Sequence, residues 1–491
     1  MNQLASLQII IPLIAAPVCI LVYHPRITWL IATVTSLFSL VIALMLLTDI
    51  GDHGVISYAM GGWSAPIGIE FRIDMLNAWM LVIVSGISFF SLLFAYTSIK
   101  QEIEESRIFL FYAGWLLCLT GLLGICITGD AFNVFVFLEI SSLSSYMLIS
   151  MSNIPRALTA SFNYLILGTI AGSFILIGIG LLYVMTGTLN MIDINTSLAT
   201  INHSNTIHTA FAFILIGTLL KAAIFPLHFW QPNAYTYAPT AVSVFLAGTA
   251  TKVSLYVLFR FAFTVFGVEY SFGMMHLDIM LMVMAIAAMI IGSGVAIFQT
   301  NLKRLLAWSS IGQLGYIILG ISLLNIQGFT ASLLHLFNHA LIKASLFMAA
   351  GCFVYRVGIA NTENLKGIGK SMPYSMLAFI VGGLSLIGVP LTNGFISKWY
   401  LLLAALDQQA VFIIFIILFS SLLAIIYVWR IVEIMYFEEP TDATRNIKEA
   451  PITLLLPTWI LVFANIYFGI NPQFLTEIAG RAAATLLGTV K

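Results

Sequence analysis

Residues 108–128 read IFLFYAGWLLCLTGLLGICIT, a stretch of 21 residues that contains no charged side chain. A helix needs about 20 apolar residues to cross the ~30 Å hydrocarbon core of a bilayer. Only helices and closed barrels satisfy all their backbone polar groups in lipid. The stretch also lacks the alternation that marks barrel strands of about 10 residues. It therefore predicts a transmembrane helix.

Similar apolar stretches recur along the whole chain, separated by polar residues and helix breakers. Only Thr128-Gly129-Asp130 separates the fourth stretch from the fifth. Together they predict an all-α polytopic membrane protein with about fourteen transmembrane helices. The predicted spans are 4–22, 28–47, 75–98, 108–128, 131–151, 158–186, 207–230, 237–265, 277–298, 302–323, 329–357, 374–403, 409–437 and 453–471.

The composition agrees with this class of protein and excludes soluble domains. Of 491 residues, 60% are hydrophobic and 8% are charged, with a mean hydropathy of +1.04. Soluble chains carry roughly 25% charged residues. The four cysteines lie in apolar stretches without C-x-x-C spacing, so we expect neither a disulfide framework nor an iron–sulfur site. The N-terminus has no basic region before its apolar run, which predicts a retained first span rather than a signal peptide.

The distribution of Lys and Arg predicts the orientation. With the N-terminus outside, twelve basic residues fall in cytoplasmic loops and three or four on the outer side, as the positive-inside rule requires. Both termini are then outside a cell membrane that the chain crosses many times. The cytoplasmic set is Arg26, Lys100, Arg107, Arg156, Lys303, Arg304, Arg356, Lys366, Lys370, Arg430, Arg445 and Lys448; the outer set is Arg72, Arg481 and Lys491, with Arg260 near the outer end of its span.

Five charged residues remain, and all fall inside apolar spans. They are Lys221, Lys252, Lys343, Lys398 and Glu139. An ionisable group at the centre of a bilayer costs at least ~2.5–3.5 kcal/mol. One such lysine can extend to the membrane surface or join two helices. Five on different spans point to function, and lysine suits proton transfer because its proton affinity responds strongly to burial and to nearby carboxylates.

Three titratable side chains share one face of the eleventh span. The sequence SLLHLFNHALIK at 332–343 places His335, His339 and Lys343 one helical turn apart. The pattern favours a proton relay over a polar contact between helices, and over a haem or metal site, for which facing ligands are scarce. We expect no metal and no cofactor. His228 follows Pro226 closely and remains ambiguous.

Two spans carry breakers next to a buried lysine. KAAIFP at 221–226 places Lys221 before Pro226, and GVPLTNGFISK at 388–398 places Lys398 after Pro390. Either break alone is compatible with a simple kink. Paired breaks in corresponding parts of two halves indicate a transporter with inverted repeats. The breaks lie five spans apart, which predicts segments 1–107, 108–265 (repeat of helices 4–8), 266–437 (repeat of helices 9–13) and 438–491.

At these residues the chain resembles the antiporter-like subunits shared by Mrp-type multisubunit sodium/proton antiporters, respiratory complex I and membrane-bound hydrogenases. The motifs that carry the resemblance are FLE at 137–139, LKAAIFPLHFWQPNAY at 220–235, APTAVS at 238–243, NLKRLLAWSSI at 301–311 and NHALIKA at 338–344. FNVFVFLEISSLSSY at 132–146 is most similar to the D subunits of Mrp antiporters. Gln313 stands where complex I relatives often have histidine, which puts a proton role at this position in doubt.

The resemblance implies roles for the buried charges. Glu139 and Lys221 correspond to the paired acid and lysine of the N-terminal half-channel, and Lys252 to a bridging lysine on a broken eighth helix, where Pro239 is the helix-breaking residue. His335 and His339 correspond to the central histidines, and Lys398 to the lysine of the broken twelfth helix.

The resemblance further implies a transporter subunit rather than an enzyme, in a bacterial cell membrane. Its expected partners are the lipid bilayer, other membrane subunits, protons and Na⁺, with K⁺ or Li⁺ as alternatives, and no nucleic acid. A subunit of a redox complex and a purely structural subunit remain alternatives.

Overall fold

The computed structural model describes residues 2–201, 204–358 and 360–488. Lys491, predicted on the outer side, lies outside the described residues. Two short antiparallel strands, β1 (Ile56–Ala59) and β2 (Glu70–Ile73), form a hairpin, and α-helices make up most of the rest. The helices are α1 (Asn2–Val22), α2 (Pro25–His53), α3 (Met75–Glu102), α4 (Ile108–Ile127), α5 (Ala131–Ser150), α6 (Arg156–Thr186), α7 (Met191–Thr200), α8 (Asn205–Lys221), α9 (Trp230–Tyr237), α10 (Thr240–Gly248), α11 (Ala250–Phe259), α12 (Leu277–Ile297), α13 (Leu302–Ser322), α14 (Ile326–Val357), α15 (Ile368–Ser371), α16 (Pro373–Ile387), α17 (Asn393–Asp407), α18 (Val411–Val432), α19 (Asp442–Arg445), α20 (Ile452–Ile470) and α21 (Gln473–Leu486).

The all-α polytopic class is confirmed. Within the described ranges, twelve helical stretches are long and apolar enough to cross a membrane, or thirteen if the bent pair Thr362–Ser371 and Pro373–Ile387 counts as one. α4 and α5 are separate helices, with Asp130 capping α5 through a hydrogen bond from the backbone N–H of Asn133 (2.7 Å). The exact count of fourteen stays a prediction.

Both predicted spans that carry breakers next to a lysine are divided into two helices. The seventh consists of α8 and α9, joined by residues 222–229, and the twelfth consists of α16 and α17, joined by residues 388–392. Pro226 and Pro390 lie in these connections. The eighth span is interrupted at Thr249, whose backbone (φ −125°, ψ −58°) is not helical, between α10 and α11.

Two span boundaries differ from the sequence prediction. The seventh span was expected to end at residue 230 and the eighth to begin at 237, but α9 occupies 230–237 and Pro239 lies just before α10. The reason is that WQPNAYTY has little apolar character, so a buried half-helix looked like the end of a span. The hairpin and the terminal helix α21 were also not expected.

Two matching backbone bridges link the starts of α5 and α13 to later parts of the chain. Asp130 bridges to Asn190, and Asn301 bridges to Asn361, each pair 60 residues apart in sequence. Asn301 also caps α13 as Asp130 caps α5, by accepting from the N–H three residues on. The two predicted repeats thus contain the same backbone bridge and the same helix cap at corresponding positions. The division into repeats itself stays a prediction.

α14 lies at the centre of the molecule. It packs against α3, α10, α13, α16, α17, α20 and α21, and 26 of its 32 residues, including His335, His339 and Lys343, are buried. Large apolar side chains instead project outward from α1, α2 and α18, among them Leu21, Phe38 and Phe415. This arrangement, with polar groups inside and an apolar surface outside, fits lipid as the solvent.

Candidate functional site

Glu139 and Lys221 form a buried ion pair at the break in the seventh span. Lys221 is the last residue of α8, and its Nζ lies 3.3 Å from Oε1 of Glu139 on α5 and donates to Oγ of Ser142 at 2.6 Å. The lysine side chain is 3% exposed and the glutamate side chain 23%, so only the glutamate reaches the surface of the protein. Gly172 on α6 leaves room for the carboxylate, because a Cβ atom there would overlap with Oε1.

A small cavity beside Lys221 reaches α11, the helix that carries Lys252. Its lining includes Ser142 and Ser145 from α5 and Ser254 from α11. Lys252, fully buried, lies just after the interruption at Thr249, and its Nζ donates to the backbone oxygen of Ala247, which α10 leaves free at its end. The break in the eighth span thus provides the acceptor for its own lysine.

The two histidines of α14 lie one helical turn apart, within range of the charge of Lys252. Their ring centroids are 6.0 Å apart. Nδ1 of His335 lies 2.8 Å from Oγ of Ser397, and Nε2 lies 3.1 Å from Oε1 of Gln313. His339 is fully buried, and neither ring nitrogen has a hydrogen-bond partner among the described residues. The charge of Lys252 acts on both rings.

Lys343 does not extend to the membrane surface. It is fully buried, and its Nζ donates to the backbone oxygen of Leu306 (2.9 Å) and to Oγ of Ser309 (2.6 Å), both on α13. Extension to the interface, the simple alternative for this lysine, is therefore wrong.

Lys398 belongs to α17, and its ammonium group lies at the C-terminal end of the half-helix α16. Its Nζ donates to the backbone oxygens of Leu386 (3.2 Å) and Ile387 (2.8 Å) and to Oγ of Ser421 (3.2 Å), and it lies 4.6 Å from the ring centre of Tyr316. The C-terminal end of a helix carries partial negative charge, which favours a cation there. Ser397, its neighbour in sequence, contacts His335, so Lys398 adjoins the histidines.

His228 is buried in the connection between α8 and α9. Its ring packs against Phe225, Phe229 and Trp308, and its nitrogens have no hydrogen-bond partner among the described residues. It lies outside the series that runs from Glu139 to Lys398. No group of three His, Cys, Asp or Glu side chains that could hold a metal ion occurs in the part of the chain that the structure describes.

Two further cations are buried, and the sequence predicted burial for neither of them. Lys303, expected in a cytoplasmic loop, is buried in the first turn of α13, where its Nζ donates to the backbone oxygen of Ala238 (2.6 Å). Arg260, counted as a charge near a span end, is buried in an ion pair with Asp74. The only sequence signal for either was an acidic residue, Glu102 or Asp74, at an end of the third span.

The match to a family model rests on the region that contains these groups. Residues 128–424, which include every buried lysine and both α14 histidines, match the family described as NADH:quinone oxidoreductase/Mrp antiporter, TM. The chain belongs to this family. The resemblance seen in the motifs is thereby confirmed.

Three relatives are similar to this chain over most of their length. The N subunit of the NADH-quinone oxidoreductase of Desulforudis audaxviator is 39% identical over 436 residues, covering 86% of each chain. The D subunit of the Na⁺/H⁺ antiporter of Alkalihalophilus pseudofirmus is 28% identical and covers 99% of this chain and 98% of its own. Among solved structures, a chain of the Mrp complex from Dietzia sp. DQ12-45-1b superposes with a TM-score of 0.90 at 25% identity, covering 99% and 98% of the two chains.

Proposed function

We propose that this chain is the proton-translocating subunit of a multisubunit Na⁺/H⁺ antiporter. The observation that carries the proposal is the buried series Glu139–Lys221, Lys252, His339–His335 and Lys398, which crosses the interior of a single chain. The full-length similarity to the D subunit of a Na⁺/H⁺ antiporter and to a chain of the Mrp complex supports the assignment to an antiporter. The subunit acts with other membrane subunits in a bacterial cell membrane, with both termini outside.

The ion pair controls loading at one end of the series. While Glu139 lies beside Lys221, the attraction between the charges keeps the lysine protonated. When the carboxylate moves away, burial favours neutral lysine, which releases its proton towards Lys252 through the serine-lined cavity. Glu139 is the more exposed partner, so it is the one free to move.

The central residues pass the proton on. Lys252 and His339 lie close enough for their charges to interact, and a second charge next to an occupied site is unfavourable. A proton that arrives at Lys252 therefore favours release from the histidines towards Lys398. Because the groups interact, they titrate as one set.

The helix interruptions allow the lysines to change partners. Lys252 and Lys398 are held by backbone oxygens that the broken helices leave unpaired. Such acceptors hold an ammonium group without neutralising it. We assign residues 108–265 and 266–437 to the two repeats, each with one broken span beside its lysine, and the matching bridges at Asp130 and Asn301 support this division.

Sodium crosses elsewhere in the complex. Na⁺ binding requires several oxygen ligands, and among the described residues the mid-span part of the series contains a single carboxylate, that of Glu139. We therefore assign the sodium path to a partner subunit, with proton movement in this chain coupled to it.

The experiment is Na⁺/H⁺ exchange in everted vesicles that carry the whole complex. We expect Glu139→Ala, Lys221→Ala and Lys398→Ala each to abolish collapse of an imposed pH gradient on addition of Na⁺. The matched controls Glu105→Ala, Lys100→Ala and Lys370→Ala remove exposed charges of the same type and should retain exchange. Exchange near the wild-type rate in all three site variants, at equal assembly, would reject the assignment.

A second function is favoured by one comparison. The 39% identity to the N subunit of a NADH-quinone oxidoreductase points to an energy-converting redox complex, in which chemistry in other subunits drives the same proton path. Purification of the intact complex separates the two functions. Flavin and iron–sulfur absorbance in the purified complex, with no exchange driven by Na⁺, would favour the redox complex, whereas exchange without these chromophores supports the antiporter.

A further inference from the structure

Besides this series, three buried side chains form a ladder along the eighth span: Lys252, Tyr256 and Arg260. The three residues are one helical turn apart and share a face. All three are buried, and Tyr256 is 1% exposed. At Arg260 the α-helix changes to a π-helix, which continues to Val265. Such wide turns are rare and occur often at functional sites.

The hydroxyl group of Tyr256 is the middle rung of this ladder. It donates to the backbone oxygen of Cys126 (3.0 Å) and accepts from Nδ2 of Asn77 (2.8 Å) and from Nε of Arg260 (3.0 Å). Its proton and both lone pairs are therefore engaged. In this arrangement Tyr256 cannot pass a proton, so the ladder is closed.

Arg260 is held at the last rung by Asp74. The guanidinium group contacts the Asp74 carboxylate and Oδ1 of Asn77, and the two side chains of the ion pair are 8% and 16% exposed. Asp74 also caps α3, where its Oδ1 accepts from the N–H of Asn77 (3.1 Å). The cap itself does not require Arg260, because an uncharged residue such as asparagine caps a helix equally well.

Beyond the ion pair lies a cavity of about 380 Å³. Asp74, Asn77 and Arg260 line its inner wall, and Val55 and Thr485, both exposed, line its rim. This end of the molecule carries the β1–β2 hairpin and α21, which the charge distribution predicts to be outside. The ladder thus extends along the eighth span from the central lysine to a cavity at the end of the molecule that is predicted to be outside.

We propose that Asp74, Tyr256 and Arg260 form a gate through which protons pass between Lys252 and this outer cavity. The proposal rests on the proposed function. It gives the first repeat its own connection to the outer surface and makes the Asp74–Arg260 pair a counterpart of the Glu139–Lys221 pair.

The step transfers a proton and nothing else. When Arg260 moves off the tyrosine oxygen, the hydroxyl group turns from the Cys126 oxygen and gives its proton to the Asp74 carboxylate, while the tyrosine oxygen accepts a proton from Lys252. Lys252 becomes neutral, and Asp74 becomes neutral and loses its attraction for Arg260. Release of the proton from Asp74 to the cavity restores the ion pair and closes the gate. The same steps in reverse carry a proton inward.

The first test addresses access from outside. In the whole complex, Thr485→Cys places a thiol at the rim of the cavity, and Thr476→Cys places one on the same helix away from it. Among the described residues, both hydroxyl groups donate only to backbone oxygens of α21. The four native cysteines are buried. We expect a bulky membrane-impermeant thiol reagent, added outside, to modify both variants and to stop exchange only in Thr485→Cys. Modification of Thr485→Cys without loss of exchange, or modification from the inside only, would overturn the gate.

The second test removes the tyrosine hydroxyl group and the aspartate carboxylate of the gate, one at a time. Tyr256→Phe keeps the ring, and Asp74→Asn keeps the helix cap. We expect each to lower Na⁺/H⁺ exchange by about tenfold or more, while Tyr467→Phe, at an exposed position of α20, retains it. Loss of exchange in Lys221→Ala together with wild-type exchange in Tyr256→Phe and Asp74→Asn would reject the gate alone. Retention of exchange in Lys221→Ala as well would reject the proposed function and the gate with it.

Discussion

Glu139 lies beside Lys221 because residue 172 has no side chain. The carboxylate occupies the space that a Cβ atom would fill, so the geometry of the ion pair depends on a residue without any polar group. The same helix, α6, offers a matched position, since a Cβ atom at Gly180 would contact nothing within 4 Å. A comparison of alanine substitutions at the two glycines therefore distinguishes an effect on the Glu139–Lys221 ion pair from an effect on helix propensity.

We therefore expect Gly172→Ala to displace Glu139 and to lower exchange towards the level of Glu139→Ala. Gly180→Ala should leave exchange unchanged, because alanine is the better helix former and meets no neighbour. Initial rates of Na⁺-dependent collapse of the pH gradient, normalised to assembled complex, measure both. Equal rates in the two variants would contradict the role given to Gly172.

The ion pair of Asp74 predicts how the stability of the protein depends on pH in the acid range. Burial acts to raise the pKa of Asp74, but the charge and hydrogen bond of Arg260 and the backbone N–H groups of Asn77 and Leu76 outweigh it, so the pKa lies below its ordinary value of 3.8. The ionised form is thus favoured by folding. Its contribution to stability is complete above about pH 3.8 and is lost as the pH falls through the lowered pKa.

The measurement is thermal unfolding of the detergent-solubilised complex between pH 3 and pH 7. We expect the wild type to lose more stability than Asp74→Asn as the pH falls below about 4, since the variant has no carboxylate to protonate. Parallel pH profiles for the two proteins would show that the pair adds no acid-sensitive stability.

Sorting charges by depth identified five of the buried ionisable residues from sequence. Glu139, Lys221 and Lys398 stood out because a charge in mid-span is costly and rare. Arg260 did not, because it lies within reach of a span end and its partner Asp74 is 186 residues away. Pairing over such distances is set by helix packing, which the pattern of a single sequence does not contain.

At the scale of elements, the broken helices hold their lysines through backbone oxygens. Gly388 ends α16 in the left-handed region (φ 90°), and a Cβ atom there would lie 2.9 Å from Cδ of Lys398. Gly358 ends α14 in the same region (φ 78°), with nothing within 4 Å of an added Cβ. Substitution of either glycine by alanine costs about 1–2 kcal/mol in backbone conformation. Only the alanine at position 388 would also contact a lysine side chain.

We expect Gly388→Ala to move Lys398 away from the carbonyl groups of Leu386 and Ile387 and to reduce exchange several-fold. Gly358→Ala should share the loss of thermal stability and keep its exchange rate. Rates and melting temperatures of the two complexes, measured side by side, check this. A matched fall in exchange in both variants would mean that stability alone, and not the position of Lys398, accounts for the effect.

The sequence predicted these elements well where apolar length or proline decided them. Both main interruptions were expected from Pro226 and Pro390, and the division of α4 from α5 from a three-residue turn. The half-helix α9 was missed because its buried face is formed by Trp230, Gln231 and Tyr235, which do not form an apolar run. The hairpin was missed because its strands are only four residues long.

At the scale of the whole molecule, the ion pairs Glu139–Lys221 and Asp74–Arg260 accompany a central cluster of titratable side chains. Glu139–Lys221 lies at one side of Lys252, Asp74–Arg260 lies beyond it along α11, and Lys343 and the histidines lie on α14. Lys252 lies on the helix between the two ion pairs, and its charge acts on His335, His339 and Lys343. Family membership and the class of fold follow from sequence motifs, but this central position follows from packing.

The central claim is that protons cross this chain through Lys252. The most direct test is Na⁺-dependent proton flux in proteoliposomes that contain the whole complex with Lys252→Met, which keeps the length and apolar stem of the side chain and removes its charge. Lys100→Met, at an exposed position, is the control. The account predicts that Lys252→Met assembles normally and conducts no protons, while Lys100→Met conducts at the wild-type rate; wild-type flux through assembled Lys252→Met would contradict it.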